Sequence, residues 1–185
     1  MNSTILIVLA VVVVVAIGAL ILLRRRRSEH LQSRFGPEYE RELEAKGSKA
    51  KAEADLLERE KRVEKLDIRP LDPAARDDFS ERWTEVQARF VDDPPSAVAS
   101  ADALLGEVMK ARGYPVSDFD QRAGDISVDH PDVVEQYRAG HAIAERHSRG
   151  EAETEDLRQA MIHYRALFDD LVKVDELAPR EKVPG

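Results

Sequence analysis

The chain has 185 residues, 28 of them basic and 36 acidic, so its formal net charge is −8, and it contains no cysteine. The absence of cysteine excludes disulfides, thiol catalysis and zinc–thiolate sites. Removing Arg24–Arg27 leaves 24 basic against 36 acidic residues, a net charge of −12 for residues 28–185. Such an acidic body argues against nucleic acid as a partner, because phosphates bind basic surfaces.

An uncharged apolar stretch, ILIVLAVVVVVAIGALILL, occupies residues 5–23. As a helix rising about 1.5 Å per residue, it is long enough for the ~30 Å hydrocarbon core of a bilayer. We therefore predict a transmembrane helix over 5–23, with residues 1–4 as a short extracytoplasmic segment. A cleaved signal peptide is the alternative, but it requires positive charge before the apolar stretch, whereas here the charge begins after it, at Arg24.

Four arginines, Arg24, Arg25, Arg26 and Arg27, follow directly and open a basic juxtamembrane connector over residues 24–36. By the positive-inside rule they place the amino terminus outside the cell membrane and the rest of the chain in the cytoplasm. We favour a stop-transfer role for them over the recruitment of anionic lipid, which is worth about 1 kcal/mol per basic residue near the surface. Homo-oligomerisation through the anchor is possible, but no G-x-x-x-G motif is present to support it.

Residues 37–68 are predicted as a charged helical stalk, which begins after the Gly36-Pro37 break and is helical over 37–66. Several acidic residues along it stand four positions before a basic residue, and such i,i+4 pairs stabilise an exposed helix. A weak seven-residue seam runs through Leu43, Ala50 and Leu57. A coiled coil is the alternative, but a solvated stalk fits the short seam better.

The remainder of the chain is predicted to be an antiparallel helical bundle of about four helices over residues 70–177, followed by a flexible tail, 178–185. Apolar residues recur at helical spacing in four segments: 73–91, 96–112, 131–148 and 155–174. Between the second and third helices we predict a turn of helix around 118–122 and an ordered loop over 125–130. Nothing alternates at period two, so the predicted fold class is all-α.

Several short motifs in this order resemble an uncharacterised family of bacterial, largely actinobacterial, single-pass membrane proteins. The motifs are Arg34-Phe35-Gly36-Pro37-Glu38-Tyr39, Phe90-Val91-Asp92-Asp93-Pro94, Arg112-Gly113-Tyr114-Pro115, Ser127-Val128-Asp129-His130-Pro131 and Thr154-Glu155-Asp156-Leu157-Arg158-Gln159-Ala160-Met161. The resemblance implies a helical domain behind a membrane anchor. It implies no activity and transfers no site residue.

No catalytic, cofactor-binding or metal site is predicted, since no nucleophile-elbow, zincin, Walker or dinucleotide motif occurs. A di-iron bundle needs Glu-x-x-His, but Arg138 and Ala160 stand three residues before His141 and His163. We expect His141 to be a hydrogen-bonded core residue and His163 a partly exposed boundary residue. The aromatic stripe of Phe79, Trp83 and Phe90 is expected to belong to the core rather than to form an apolar groove.

One group of polar residues remains a candidate surface for a partner or ligand: Arg112, Tyr114, Asp129, His130 and Asp132. A carboxylate beside an imidazole can serve acid–base chemistry or part of a metal site. The same residue types are what turns and helix caps require, and we favour that structural interpretation.

Three functions follow as hypotheses. The first is a membrane-anchored cytoplasmic interaction or scaffold protein, with the lipid bilayer and a cytoplasmic protein as partners and with no catalysis expected. The second is a ligand-binding or metal-assisted enzyme that uses the 112–132 region with nearby histidines. The third is a structural, membrane-tethered spacer.

Overall fold

The computed structural model describes the backbone of residues 3–115 and 117–173, and the side chains of residues 11–115 and 117–172. The helices in this part of the chain are α1 (Ser3–Phe35), α2 (Pro37–Lys46), α3 (Lys49–Val63), α4 (Pro73–Arg89), α5 (Pro94–Ala111), α6 (Phe119–Asp129), α7 (Pro131–Ser148) and α8 (Thr154–Lys173). No strand occurs within the described ranges, so the all-α prediction is confirmed. The predicted tail, 178–185, lies outside them.

The chain divides into two compact units, with the boundary inside α3 between Leu57 and Glu58. In the first unit α1 continues without a break through the four arginines to Phe35, so the predicted connector is helical over most of its length. Among the described residues, none of the helices has both the length and the apolarity that a membrane span needs. Residues 5–10 of the predicted span lie outside the described side chains.

The prediction of one long helix over 37–66 is wrong, because the chain turns at Gly47. Gly47 adopts a left-handed conformation with φ of 61°, and its N–H caps α2 by donating to the Leu43 carbonyl. A residue with a Cβ is strained at such a φ, so a glycine within an otherwise helical pattern is a natural end for α2.

The segment is also not a solvated stalk, because several of its apolar side chains are buried. They are Tyr39 of α2 and Ala52 and Leu56 of α3, together with Leu31 and Phe35 of α1. Buried positions therefore differ from the predicted seam, in which Ala50 is exposed and Leu43 and Leu57 are half-buried. Hydrogen bonds from Ser28 and Tyr39 to the Glu53 carboxylate join the three helices.

The second unit contains the helical bundle, and its four predicted helices are confirmed as α4, α5, α7 and α8. Local signals define their starts: Asp72 caps α4 by accepting from Ala75 N–H at 2.8 Å, and Asp93 caps α5 by accepting from Ser96 N–H at 3.2 Å. Each cap is followed by a proline that suits the first turn. Short connections between α4 and α5 and between α7 and α8 make these neighbours antiparallel.

A fifth helix, α6, occupies most of the region that was predicted to be a loop over 125–130. Asp118 caps it by accepting from Gln121 N–H at 2.9 Å. The helix then buries every residue from Ala123 to Val128. Its Asp125 is 1% exposed and accepts from Arg62 Nε at 2.7 Å. Burial and this ion pair outweigh the weak intrinsic helix preference of glycine, aspartate and serine here.

The core of the bundle lies between α5 and α8 and is covered by α4, α6 and α7. Fully buried residues include Leu105 and Val108 of α5 and Leu167 of α8. Trp83 stacks on Phe168 with ring centroids 4.5 Å apart. The predicted stripe therefore belongs to the core as expected, with Phe79 buried and Phe90 packed against the cluster at its edge.

Candidate functional site

Four of the five predicted polar residues meet at one end of the bundle, where α5 ends, α6 passes into α7, and α8 approaches its last described residues. They are Arg112, Tyr114, Asp129 and His130, and the structure adds Asp170 of α8, which sequence reasoning missed. We call these five residues the polar corner. Asp132, the remaining predicted residue, is an exposed acid in the first turn of α7, where it favours the positive end of the helix dipole.

Arg112 is the centre of the polar corner. It caps the end of α5, is 1% exposed, and donates from Nη1 to the Leu171 carbonyl at 2.7 Å. Burial lowers the pKa of Arg112, while the nearby Tyr114, Asp170 and Asp129 act in the opposite direction. An arginine in a protein stays protonated at neutral pH, so the corner holds a buried positive charge facing two carboxylates.

The backbone of Arg112 and Gly113 contacts the segment before α4, at Asp67 and Arg69. The Arg112 carbonyl accepts from Arg69 N–H at 2.9 Å. Gly113 has a φ of 102°, and a Cβ at this position would lie 2.3 Å from the Asp67 carbonyl oxygen. Only glycine accommodates both conditions, so the Gly-Tyr-Pro sequence is explained by a turn with a chain packed onto it.

Two further hydrogen bonds tie the corner together. The Tyr114 hydroxyl donates to Asp129 at 3.0 Å, and Nδ1 of His130 bonds Asp170. His130 also links α6 to α7 through its backbone, because its N–H donates to the Ile126 carbonyl at 2.8 Å. Within the described part of the chain, Nε2 of His130 and Nε of Arg112 are buried without a hydrogen-bond partner.

The polar corner contains a carboxylate hydrogen-bonded to an imidazole, Asp170 to His130, which is a pair that acid–base catalysis uses. A general base must reach the proton that it removes, but the His130 side chain is only 3% exposed. The hydrogen bonds of the polar corner join the end of α5, the α6–α7 junction and the last described turn of α8 to one another.

The two histidines considered for a metal site are engaged elsewhere. His141 stacks on Phe119 with ring centroids 3.5 Å apart, and Nδ1 of His163 lies 2.5 Å from Oε1 of Gln136. The prediction for His163 as a boundary residue is confirmed. That for His141 is wrong in part, since it is a half-buried stacking residue with Nε2 3.7 Å from Glu145. Across the described residues, no three histidine or carboxylate side chains are grouped so as to hold a metal ion.

The four predicted membrane-proximal arginines, Arg24–Arg27, lie in the first unit, where they are exposed on α1. They directly follow an apolar part of the same helix whose large side chains are 48–67% exposed between Val11 and Leu23. A comparison of the chain with protein-family models, with curated proteins and with solved structures finds no match in any of the three. The resemblance to a bacterial membrane-protein family therefore stays a prediction.

Proposed function

We propose that this chain is a membrane-anchored helical protein whose bundle lies in the cytoplasm and acts by binding a protein partner rather than by catalysis. The observation that carries the anchor is the apolar surface of α1. The valine, isoleucine and leucine side chains between Val11 and Leu23 are all exposed, and five of them, Val11–Val15, are consecutive. Five consecutive residues exceed one helical turn, so this surface faces every direction around the helix.

Such a surface is unfavourable in water, where each large apolar side chain forgoes about 1.5–3 kcal/mol of burial. A narrow apolar stripe would suit another helix, whereas a fully apolar circumference suits lipid. The positive charge that begins at Arg24 supports an orientation with the bundle on the cytoplasmic side.

The binding role is supported by how the bundle uses its polar residues. The conspicuous pairs, Tyr114–Asp129 and His130–Asp170, join helices to one another. The spacer hypothesis is weakened, because the chain returns from Ser28 to Glu53 and makes a compact hairpin instead of an extended rod. Two large apolar residues of the bundle remain exposed as candidate contacts, Val91 at 84% and Ile162 at 48%.

Anchoring and orientation are tested with single cysteines, because the natural chain contains none and has no background labelling. Ser3→Cys and Glu151→Cys variants are treated with a membrane-impermeant maleimide in intact cells, after the membranes are shown to retain the chain in alkaline carbonate. We expect Ser3→Cys to be labelled at once and Glu151→Cys only after permeabilisation. Release by carbonate would overturn the anchor, and the opposite labelling pattern would overturn the orientation.

The binding role is tested by photo-crosslinking in living cells from positions 91 and 162, with position 149 on the exposed α7–α8 connection as a third probe. A discrete adduct that disappears when the apolar residues of α1 are removed supports a partner at the membrane. Absence of any adduct from all three positions would contradict it.

A further inference from the structure

A groove lies between α1 and α3 in the first unit. It has a volume of about 770 Å³ and is lined by seven residues of α1 between Ile21 and Gln32 and by five residues of α3 between Lys49 and Leu57. That volume falls in the range of sites that enclose small molecules. The groove forms because the chain reverses at Gly47 and carries the start of α3 back beside α1, where Ser28 donates to Glu53 at 2.5 Å.

The charged residues that line the groove are mostly basic. Arg24, Arg25 and Arg27 come from α1 and Lys49 from α3, against Glu29 and Glu53. The Glu53 carboxylate is already engaged, because it accepts from Ser28 and from the Tyr39 hydroxyl at 3.0 Å and lies 3.6 Å from Lys49 Nζ. The groove thus presents a surplus of positive charge, which a phosphate anion complements.

Apolar residues occupy the same groove beside the basic ones. Ile21 belongs to the exposed apolar part of α1 and lies three residues, or about 4.5 Å of helix rise, before Arg24. Leu57 contributes apolar surface from α3. A ligand that fills this groove therefore carries a negative group next to a hydrocarbon group, at the point where an apolar helix becomes cationic.

We propose that this groove binds the headgroup phosphate of an anionic phospholipid, with Lys49 completing a site that the arginines of α1 begin. The inference rests on the proposed membrane anchor and deepens it. Under that anchor, Arg24 lies at the depth of the headgroups and Ile21 at the depth of the first acyl carbons. Because α3 packs beside α1, the basic residues of α1 form one wall of a groove instead of an open basic surface.

The test uses the full-length chain in neutral detergent with an environment-sensitive dye attached through Ala54→Cys, at the groove wall. Short-chain phosphatidylglycerol, short-chain phosphatidylcholine and glycerol phosphate are titrated separately. We expect phosphatidylglycerol to bind at least ten-fold more tightly than phosphatidylcholine, which has the same phosphate but no net charge. Glycerol phosphate should bind far more weakly, because it lacks the hydrocarbon that contacts Ile21 and Leu57.

Lys49→Gln should weaken phosphatidylglycerol binding about five-fold, the loss expected for one basic contact near an anionic headgroup. Lys51→Gln is the matched control, since it is exposed on the same helix outside the groove and should change nothing. Lys49→Arg should restore binding. Folding of each variant is checked through the fluorescence of Trp83 and through helix content.

Equal affinity for the two lipids, or equal losses in Lys49→Gln and Lys51→Gln, would overturn the site. Glycerol phosphate binding as tightly as phosphatidylglycerol would make the ligand a soluble phosphate and would overturn the lipid proposal. If the chain resists carbonate extraction but shows no lipid preference, the groove proposal is overturned and the anchor proposal stands. If carbonate releases the chain, the anchor proposal is overturned, and the groove proposal that rests on it is overturned as well.

Discussion

The amino-terminal part of α1 and the helical bundle differ in how far their apolar side chains are buried. In the unit that begins at Glu58, the leucine and valine side chains of α5 and α8 that the structure describes are at most 7% exposed, and Leu105 and Leu167 are 0% exposed. In the unit that ends at Leu57, Leu31 and Leu56 are equally buried, but the large apolar side chains between Val11 and Leu23 are 48–67% exposed. Both units are helical, so the difference lies in where the apolar surface finds a partner. The bundle supplies its own, whereas this part of α1 leaves its apolar surface exposed.

The largest expected effect comes from the same truncation made in each unit. Leu167→Ala should destabilise the bundle by about 2–5 kcal/mol, because a fully buried leucine leaves a cavity behind. Leu22→Ala, at a 61% exposed position of α1, should change bundle stability by less than about 0.5 kcal/mol.

Urea unfolding of the full chain in micelles measures both variants through Trp83, the single tryptophan, which stacks on Phe168 in the bundle. Equal losses for Leu167→Ala and Leu22→Ala would mean that the two units do not differ in this way.

The second effect concerns the polar corner. Arg112→Met should destabilise the bundle by about 1–3 kcal/mol, because the Leu171 carbonyl loses its donor and two carboxylates lose the positive charge between them. Lys110→Met, on the exposed face two residues earlier, is the control and should be close to neutral. The same urea titration applies, and an unchanged midpoint for Arg112→Met would show that the corner is not a structural fastening.

The third effect separates two glycines within bundle helices. A Cβ on Gly140 would lie 2.8 Å from the Tyr164 ring, so Gly140→Ala should cost about 1–2 kcal/mol despite its better helix propensity. A Cβ on Gly106 would meet only the flexible end of the Arg122 side chain at 2.9 Å. Gly106→Ala should therefore be neutral or stabilising by up to about 1 kcal/mol. Thermal unfolding compares the two, and the reverse order would refute this packing argument.

The smallest effect is a pH dependence in the hairpin of the first unit. Burial pushes the pKa of Glu53 upward, but hydrogen bonds from Ser28 and Tyr39 and the charge of Lys49 hold it below its usual value. A lowered folded-state pKa means that the stabilisation is present above the ordinary glutamate pKa of about 4.5 and is lost as the pH falls further. The hairpin should therefore loosen below about pH 4.

Spin labels on Ser33→Cys of α1 and Ala54→Cys of α3, both exposed positions, measure this loosening as a broader distance distribution. Glu53→Gln should remove the pH dependence over the same range. If the Glu53→Gln hairpin still loosens with acid as the natural one does, another carboxylate is responsible.

Signals that lie close together in the sequence predicted the correct structure. Asp72-Pro73 and Asp93-Pro94 mark helix starts because capping acts within three residues, and the spacing of apolar residues defined α8. The errors fall where distant residues decide the outcome. Asp125 is helical because Arg62 pairs with it from 63 positions away, and the segment 37–66 is folded because Glu53 meets Ser28.

In the candidate site, too, local signals identified some residues and missed those that only the fold brings in. Turn and cap chemistry pointed to Arg112, Tyr114, Asp129 and His130, which the fold brings together. Asp170 could not be predicted, because it is one acid among several on a charged helix face. It lies 40 positions after His130 in the sequence, and only the fold brings the two side chains into contact. Lys49 was equally invisible as part of a groove, since its neighbourhood in the sequence is that of an ordinary charged helix.

The close fit of Asp67 on Gly113 has a mechanical consequence. The segment before α4 is held to the end of α5 by the Arg69–Arg112 backbone hydrogen bond and by a contact with no room for a methyl group. A pulling force that enters from the amino-terminal side therefore meets the Arg62–Asp125 ion pair and then this contact before it reaches the first turn of α4. Both contacts must break before the chain can pull on the amino-terminal end of α4.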